Sequence, residues 1–492
     1  MRKDIKILTG IFLITLAIRL FLAFSLPNFT YESYFHLRQV QHIAQTGLPL
    51  YQDSLSYGGR EIIFLPFFHY LAALFDLFLP LDIAAKILPN LFLASLTILV
   101  YLLGKRITQD ENNCLIAAGV AGFLPVLFVT NTFTPETLFL PLIFLTIWAF
   151  LQAGEKKKYL YVYLIVFIFS SFTSSATFLL LVGFAIYVLL SFIERKKLPP
   201  IEIELMVVSL FFYIWSQFLF YKSTLIQEGV SFIWQNIPRD IIAAYFPTFS
   251  LLQALLLVSI IPFLGGIYVL YQALFQLKSQ KSFLLISLVI STSALSWWRL
   301  IQFKTALAFF GLILAIFLAS FIQDALSFLQ KTKMYRHKNI LISLALIVLL
   351  ATTAYPAITT ALQQDRPTEK EVAAFQWLEQ HTDEETTVLA TVKEGHLLTY
   401  YSQRKDIIDD QFSLIPDVEQ RFKDVNSLYI TKFQTQALDL TDNYNVQYLV
   451  LTPAAQKLYL LKRMEYLTPE CFSLAYNDEV KIYQVRCSLE KR

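Results

Sequence analysis

Cysteine is scarce. Only Cys114, Cys471 and Cys487 occur among 492 residues, too few for a zinc cage or a disulfide framework. Charge is scarce too. Asp, Glu, Lys and Arg make up 16% of the chain, a balance that soluble domains rarely show. Neither sign dominates, and a net charge of +3 leaves no electrostatic footprint for a nucleic-acid partner. There is no Gly-rich phosphate loop, no nucleophile elbow and no internal repeat. P-loop nucleotide chemistry, α/β-hydrolase chemistry and solenoid folds are thereby excluded.

Apolar residues fill the space, at 56% of the chain. They gather into runs of span length near 5–26, 83–103, 113–130, 137–153, 159–172, 176–193, 202–221, 249–275, 282–298, 305–325 and 339–356. The expected fold is therefore a polytopic α-helical membrane protein with about eleven spans, some short and some tilted. The first segment carries Arg2, Lys3 and Lys6 before its apolar core but has no small-residue cleavage site. It reads as a retained anchor. Basic clusters recur in every second loop: Lys105-Arg106, Lys156 to Lys158, Arg195 to Lys197, Lys278 with Lys281, and Lys331 to Lys338. By the positive-inside rule these loops and the N-terminus face the cytoplasm. The C-terminus and the loops 27–82, 131–136, 222–248 and 299–304 are then external. The apolar stretch from Ile62 to Leu79 contains Pro66 and Asp76. It reads as a helix lying in the outer interface, since a further span would invert every later loop.

The pattern changes after Tyr355-Pro356. A membrane domain over 1–358 gives way to an expected extracytoplasmic α/β domain over 363–492. Thr368-Glu369-Lys370-Glu371 has capping-box spacing and opens a helix. Val388 to Thr391 and Val446 to Leu451 read as strands, and Phe472–Tyr476 with Val480–Val485 as a hairpin. In that hairpin Phe472 faces Val485 and Leu474 faces Tyr483. Cys471 then lies opposite Arg486, one step from Cys487, so free thiols are expected.

In a membrane protein the informative residues are ionisable groups at the edge of the apolar zone. Glu32, His36 and Arg38 follow the first run almost at once, among Tyr31, Tyr34 and Phe35. At helical spacing Glu32 and His36 share a face. Asp53 to Arg60 forms a polar turn with two glycines in the same loop. Glu136 closes the short loop 131–136. Its residue types also suit a plain helix start, with Thr134 as cap and Pro135 at the first position. Arg299 and Lys304 bracket the loop 299–304 and could hold a phosphate or simply reach lipid headgroups. Arg19 and Lys86 sit inside spans and should face the bundle.

The order acid, any residue, two aromatics, His, any residue, Arg, from Glu32 to Arg38, resembles the first external loop of oligosaccharyltransferase catalytic subunits, with Glu in place of the usual Asp. The segment from Asp53 to Arg60 followed by Leu65-Pro66 is similar to that loop as well. Ala84 to Asn90, ending in Tyr101 to Arg106, resembles the second span of the wider GT-C glycosyltransferases. The resemblance implies a GT-C fold and transfer of a sugar or glycan from a polyprenyl phosphate or pyrophosphate carrier to a glycan, lipid or protein acceptor at the outer membrane face. It also implies Glu32 as the first-loop catalytic acid and Glu136 as its second-loop counterpart. Trp297-Trp298 is not followed by Asp-Tyr-Gly, which argues against simple transfer to asparagine in a sequon.

The residues suit that chemistry. Glycosyl transfer needs a base for the acceptor's proton and positive charge near the leaving phosphate. Glu32 is the candidate base. Glu136 could share a divalent cation, magnesium or manganese, with it. Arg299 or Lys304 could stabilise the leaving phosphate, and His36 and Arg38 could hold the loop or contact the carrier. Two other classes stay open: a multi-span transporter, and a non-catalytic scaffold with a GT-C-like body. A transporter would usually show repeat symmetry and charges near the midplane. A scaffold would not depend on Glu32.

Overall fold

The computed structural model describes residues 3–108, 110–246 and 250–489. Arg2 and part of the loop 222–248, expected from the sequence to be external, fall outside the described residues. The chain forms two compact units. One comprises Met1–Leu26, Leu65–Phe220 and Tyr245–Gln364; the other comprises Pro27–Phe64, Tyr221–Ala244 and Asp365–Arg492. This departs from a linear division near residue 360. Most of the first long loop groups with the C-terminal residues instead of with the helices it interrupts.

The first unit is helical, and each of the eleven apolar runs forms helix. Among the described residues seven helices are long and apolar enough to cross a membrane, the longest being Lys333–Leu362 with 30 residues. An eighth span arises if Leu251–Val258 and Ile260–Gln276 are one helix bent by 99°. The bend falls at Ser259, whose φ of 74° breaks the helical repeat. The stretch from Ile62 to Leu79 contains only a ten-residue helix, Phe67–Asp76. At 1.5 Å per residue that is about 15 Å, half of a hydrocarbon core. The helices pack through one large apolar core with Phe139, Phe144, Leu285, Phe309 and Ile313 at its centre. Close approach requires small residues: a Cβ on Gly266 would lie 2.7 Å from the Cβ of Leu314.

Ion pairs at the helix ends group the basic loops. Asp4 accepts from Tyr101 at 3.0 Å. Arg106 pairs with Glu155 at 2.6 Å, and Lys278 with Glu194 at 2.8 Å. The first helix therefore begins beside the Lys105-Arg106 turn.

The second unit is α/β. Five strands run in the order β4–β3–β5–β7–β6: β3 (Thr387–Leu389), β4 (Lys405–Asp406), β5 (Val446–Leu451), β6 (Phe472–Asn477) and β7 (Lys481–Val485). The first three are parallel and the last two form an antiparallel hairpin. Phe472 faces Val485 and Leu474 faces Tyr483, as expected. Thr368 and Glu371 form the expected capping box at the start of Glu369–His381. The expectation of free thiols is wrong. Cys471 and Cys487 form a disulfide with Cα atoms 4.9 Å apart. Cys487 lies beyond the end of β7, so the alternation of the ladder no longer fixes its direction, and Arg486 N donates to Cys471 O at 2.8 Å.

The first-loop segment completes this unit. Helix Ser33–Thr46 is followed by a two-stranded ribbon, β1 (Gln52–Asp53) with β2 (Arg60–Glu61). Between them Gly58 and Gly59 have φ of 78° and 68°, a left-handed pair that a Cβ would penalise. Tyr57 N donates to Asp406 O at 2.8 Å and Asp406 N to Leu55 O at 2.9 Å. The ribbon thus adds to the β4 edge and covers it.

Candidate active site

Glu32 occupies the N-cap of helix Ser33–Thr46 but makes no capping hydrogen bond there. Its side chain is half-buried. His36 follows one turn on, buried, with its ring 5.1 Å from that of Phe35. The helix is held against Gly395–Ser402. Tyr34 packs 5.4 Å from both Tyr400 and Tyr401, and Gln41 donates to the Tyr400 hydroxyl at 3.1 Å. A buried, aromatic face thus fixes the helix while its first turn keeps the partly exposed carboxylate.

Arg38 binds Asp53 through both carboxylate oxygens, at 2.6 and 3.2 Å. It holds the loop, one of the two roles expected of it. Asp53 opens a chain of buried charges that sequence reasoning did not assemble. Arg60 lies 3.8 Å from Asp53 and bonds Asp409. His396 Nδ1 is 3.6 Å from Asp409, and its Nε2 is 2.8 Å from Asp410. Burial works against ionisation of Asp53, but Arg38 and Arg60 outweigh it and hold the carboxyl below its usual range. Burial likewise opposes a charged His396, and Asp409 and Asp410 outweigh it, so its pKa rises. Asp406 stands apart. It is buried, and neither carboxylate oxygen has a hydrogen-bond donor among the described residues. Burial and the charge of Asp409 push its pKa well up. The signal for this chain was faint: Asp53 and Arg60 frame a polar turn, and Lys405 to Asp410 breaks an apolar stretch, but 349 residues separate Arg60 from Asp409.

The other candidates belong to the first unit. Glu136 lies in the first turn of Pro135–Gln152, with Pro135 at the first position and Thr134 as N-cap. Thr134 is its hydrogen-bond partner, and Lys304 acts on its charge. The loop is braced by Asn131, which donates to Asn90 at 2.9 Å, and by Gln364, which donates to Phe128 O at 2.6 Å. Arg19 supports the same region from within a span. Its guanidinium donates to Gly122 O at 3.2 Å and Leu127 O at 3.5 Å, and lies 4.0 Å from the Phe128 ring centroid. It neutralises carbonyls left over where the helix breaks at Pro125. Lys86 donates to Leu26 O at 2.8 Å. Both intramembrane cations thus face the bundle as expected.

Arg299 has a left-handed backbone, φ 57°. It lines a cavity of about 590 Å³ with Phe263, Trp297, Phe303, Leu307 and Phe310. One guanidinium in an apolar wall suits an amphiphile with an anionic end. Lys304 is exposed at the start of Phe303–Gln330. Among the described residues no three His, Cys, Asp or Glu side chains converge into a metal cage. Magnesium is often held by only one or two protein carboxylates together with substrate phosphate, and Glu32 and Glu136 are of the type that this needs.

Against known proteins, the helical bundle and the sheet domain have clear counterparts. The archaeal oligosaccharyltransferase AglB of Archaeoglobus fulgidus, solved with an inhibitory peptide and a dolichol-phosphate, is similar with a TM-score of 0.67 at 15% identity; the match covers 91% of this chain and 69% of that one. ArnT of Cupriavidus metallidurans, solved with undecaprenyl phosphate, matches with a TM-score of 0.54 at 12% identity over 98% of this chain and 97% of that one. This chain has the GT-C membrane glycosyltransferase fold. Residues 66–221 match the family of dolichyl-phosphate-mannose-protein mannosyltransferases, so over that part the resemblance is one of sequence as well as shape. A further structure of the A. fulgidus oligosaccharyltransferase holds zinc and sulfate and matches with a TM-score of 0.62 at 16% identity, over 89% of this chain and 67% of that one. No curated protein matches the sequence. The matched family and the structures named above are glycosyltransferases.

Proposed function

We propose that this chain transfers a sugar or glycan from a polyprenyl phosphate or pyrophosphate carrier to an acceptor at the outer membrane face. The observation that carries the reading is the apolar cavity with Arg299 in its lining, in a fold whose relatives were solved with dolichol-phosphate and undecaprenyl phosphate. The carrier's isoprenoid chain matches the Phe and Leu walls, and its phosphate matches the guanidinium. Basic loops on one side of the helical unit make its opposite side external.

In this reaction the acceptor's nucleophilic atom attacks the anomeric carbon. The bond from that carbon to the phosphate oxygen breaks, and the phosphate leaves with the electron pair. The acceptor's proton passes to a base, the role given to the half-buried carboxylate of Glu32. Arg299 and Lys304 face the charge that develops on the phosphate. His36 and Arg38 hold the Glu32 helix. Glu136 lies under the influence of Lys304. A magnesium or manganese ion, held by a carboxylate such as Glu32 or Glu136, would add positive charge at the phosphate oxygens.

The test is mass spectrometry of lipid-linked sugars in cells with and without the chain, followed by transfer with purified protein. A donor that accumulates without the chain, and is consumed by the purified protein, supports the reading. Identical lipid profiles and no turnover of any polyprenyl-linked donor would reject it.

A further inference from the structure

The C-terminal unit carries an exposed apolar cluster that its own fold does not use. Ile430 is 56% exposed, Phe433 71%, Leu458 63% and Leu460 91%. These residues come from two helix ends that are stacked together. Val418–Ile430 ends at Ile430, and Leu460 caps the C-terminus of Pro453–Tyr459. Tyr429 and Tyr459 stack with ring centroids 4.6 Å apart, and the Tyr459 hydroxyl donates to Asn426 at 2.6 Å. The stack joins the ends of the two helices from which Ile430, Leu458 and Leu460 are exposed. Lys432 pairs with Glu465 at 3.2 Å, and Gln434 donates to Thr468 at 3.1 Å, which ties Phe433 to the same edge. Leu460 stands in the left-handed conformation, φ 54°, at a position where a solvated turn would favour Gly or Asn.

The charges around the cluster have one sign. Residues 426–434 and 456–466 contain Lys432, Lys457, Lys462 and Arg463 against the single carboxylate of Glu465. All four basic residues are exposed. Protruding apolar tips within a basic rim match a surface that offers hydrocarbon beneath anionic headgroups. A protein partner usually meets a groove or a flat patch, whereas these side chains project from turns. The same chain also contains helices of membrane-spanning length, so the protein shares its surroundings with lipid.

We propose that the edge formed by Ile430, Phe433, Leu458 and Leu460, with Lys457, Lys462 and Arg463, docks on an anionic phospholipid surface. This interaction is independent of the proposed transfer chemistry. It would limit the freedom of the C-terminal unit according to the lipid around the protein.

The experiment uses the full chain in lipid nanodiscs, with Leu460→Cys carrying an environment-sensitive nitrobenzoxadiazole dye. Cys114 is fully buried and Cys471 is bonded to Cys487, so the new thiol is the one to label. Discs of phosphatidylcholine are compared with discs that also contain phosphatidylglycerol. A blue-shifted emission, quenched by nitroxide-bearing lipid and dependent on phosphatidylglycerol, is expected. High salt should weaken it, and Lys457→Glu, Lys462→Glu and Arg463→Glu should each reduce the docked ratio by roughly fivefold or more. A dye at Glu384→Cys should remain water-like, and unchanged thermal melting of the charge variants confirms that they fold. Water-like emission at Leu460→Cys in both discs would overturn the proposal. An equal blue shift in phosphatidylcholine alone would overturn the anionic-lipid assignment. A shift that follows protein concentration and not lipid would assign the edge to a protein partner and overturn it too.

Discussion

Arg38 grips Asp53 with two parallel hydrogen bonds, Nη2 to Oδ1 at 2.6 Å and Nη1 to Oδ2 at 3.2 Å. The pair locks helix Ser33–Thr46 to the ribbon that follows it. Asp53 is buried and also faces Arg60. Asp53→Ala would leave the largely buried Arg38 guanidinium without its carboxylate, while Arg60 keeps Asp409, and should destabilise the C-terminal unit by about 3 kcal/mol. Thermal unfolding followed by intrinsic fluorescence measures this. Arg38→Lys retains the charge and loses the fork, so an intermediate loss is expected. Equal melting of all three proteins would show that the pair contributes nothing.

Asp406 sets the pH dependence. Its folded pKa is raised, so the folded state binds more protons than the unfolded state as pH climbs above about 4. Stability is therefore lost with rising pH through the window between the unfolded and folded values. Asp406→Asn removes this loss and should raise the melting temperature at pH 7 while changing little at pH 4. His396 acts in the same direction: its folded pKa is raised, so its contribution is full below about 6.5 and is lost as pH rises through the folded value. Asp53 acts oppositely, and its contribution is present above about 4 and lost as pH falls further. Melting curves of wild type, Asp406→Asn and His396→Gln between pH 4 and 9 separate Asp406 from His396. A pH-independent difference between wild type and Asp406→Asn would refute the raised pKa.

Glu32 is the sharpest test of the proposed chemistry. Glu32→Gln retains the shape and removes the base, so transfer should fall at least about 100-fold with little change in melting. Glu32→Asp should retain part of the activity. Glu136→Gln should be mild if that carboxylate only favours its helix N-terminus, and comparably severe if it takes part in transfer. Full turnover by Glu32→Gln would remove the catalytic assignment and favour a scaffold.

Reduction should loosen the end of the sheet domain. The Cys471–Cys487 bond joins residues 16 apart, and the chain-entropy estimate for such a loop is about 3 kcal/mol. A mobility shift on reduction that is absent in Cys487→Ser checks the bond, and the melting difference checks the magnitude.

Sidedness can be labelled directly. Cysteines at Lys157 and Glu384, both exposed, should react from the cytoplasmic and external sides respectively. Labelling of Lys157→Cys by an impermeant reagent outside the cell would overturn the assigned orientation.

Much of this architecture is visible in the chain. Eleven apolar runs became helix because span-length apolar segments have little alternative, and Thr368 with Glu371 marked a helix start correctly. The hairpin register was readable from alternation between Phe472 and Val485. The disulfide was not, because the direction of Cys487 is set by backbone beyond the strand. The grouping of Pro27–Phe64 with the last quarter of the chain was hidden as well. It depends on contacts such as Arg60 with Asp409, which local pattern cannot pair. Glu32, His36 and Arg38 were legible as a cluster, while the burial of His36 and the engagement of Arg38 by Asp53 needed coordinates.

The ribbon that covers the β4 edge has a consequence for biosynthesis. Arg60 precedes Asp409 by 349 residues, so at 5–20 residues per second it waits roughly 20–70 s for its partner to be made. During that interval Arg60 has Asp53 and water, and the Ser33–Thr46 helix lacks Tyr400 and Tyr401. The C-terminal unit cannot close until nearly every span has been inserted. A nascent chain stalled before residue 405 should expose residues 52–61 to protease, and one released past residue 489 should protect them.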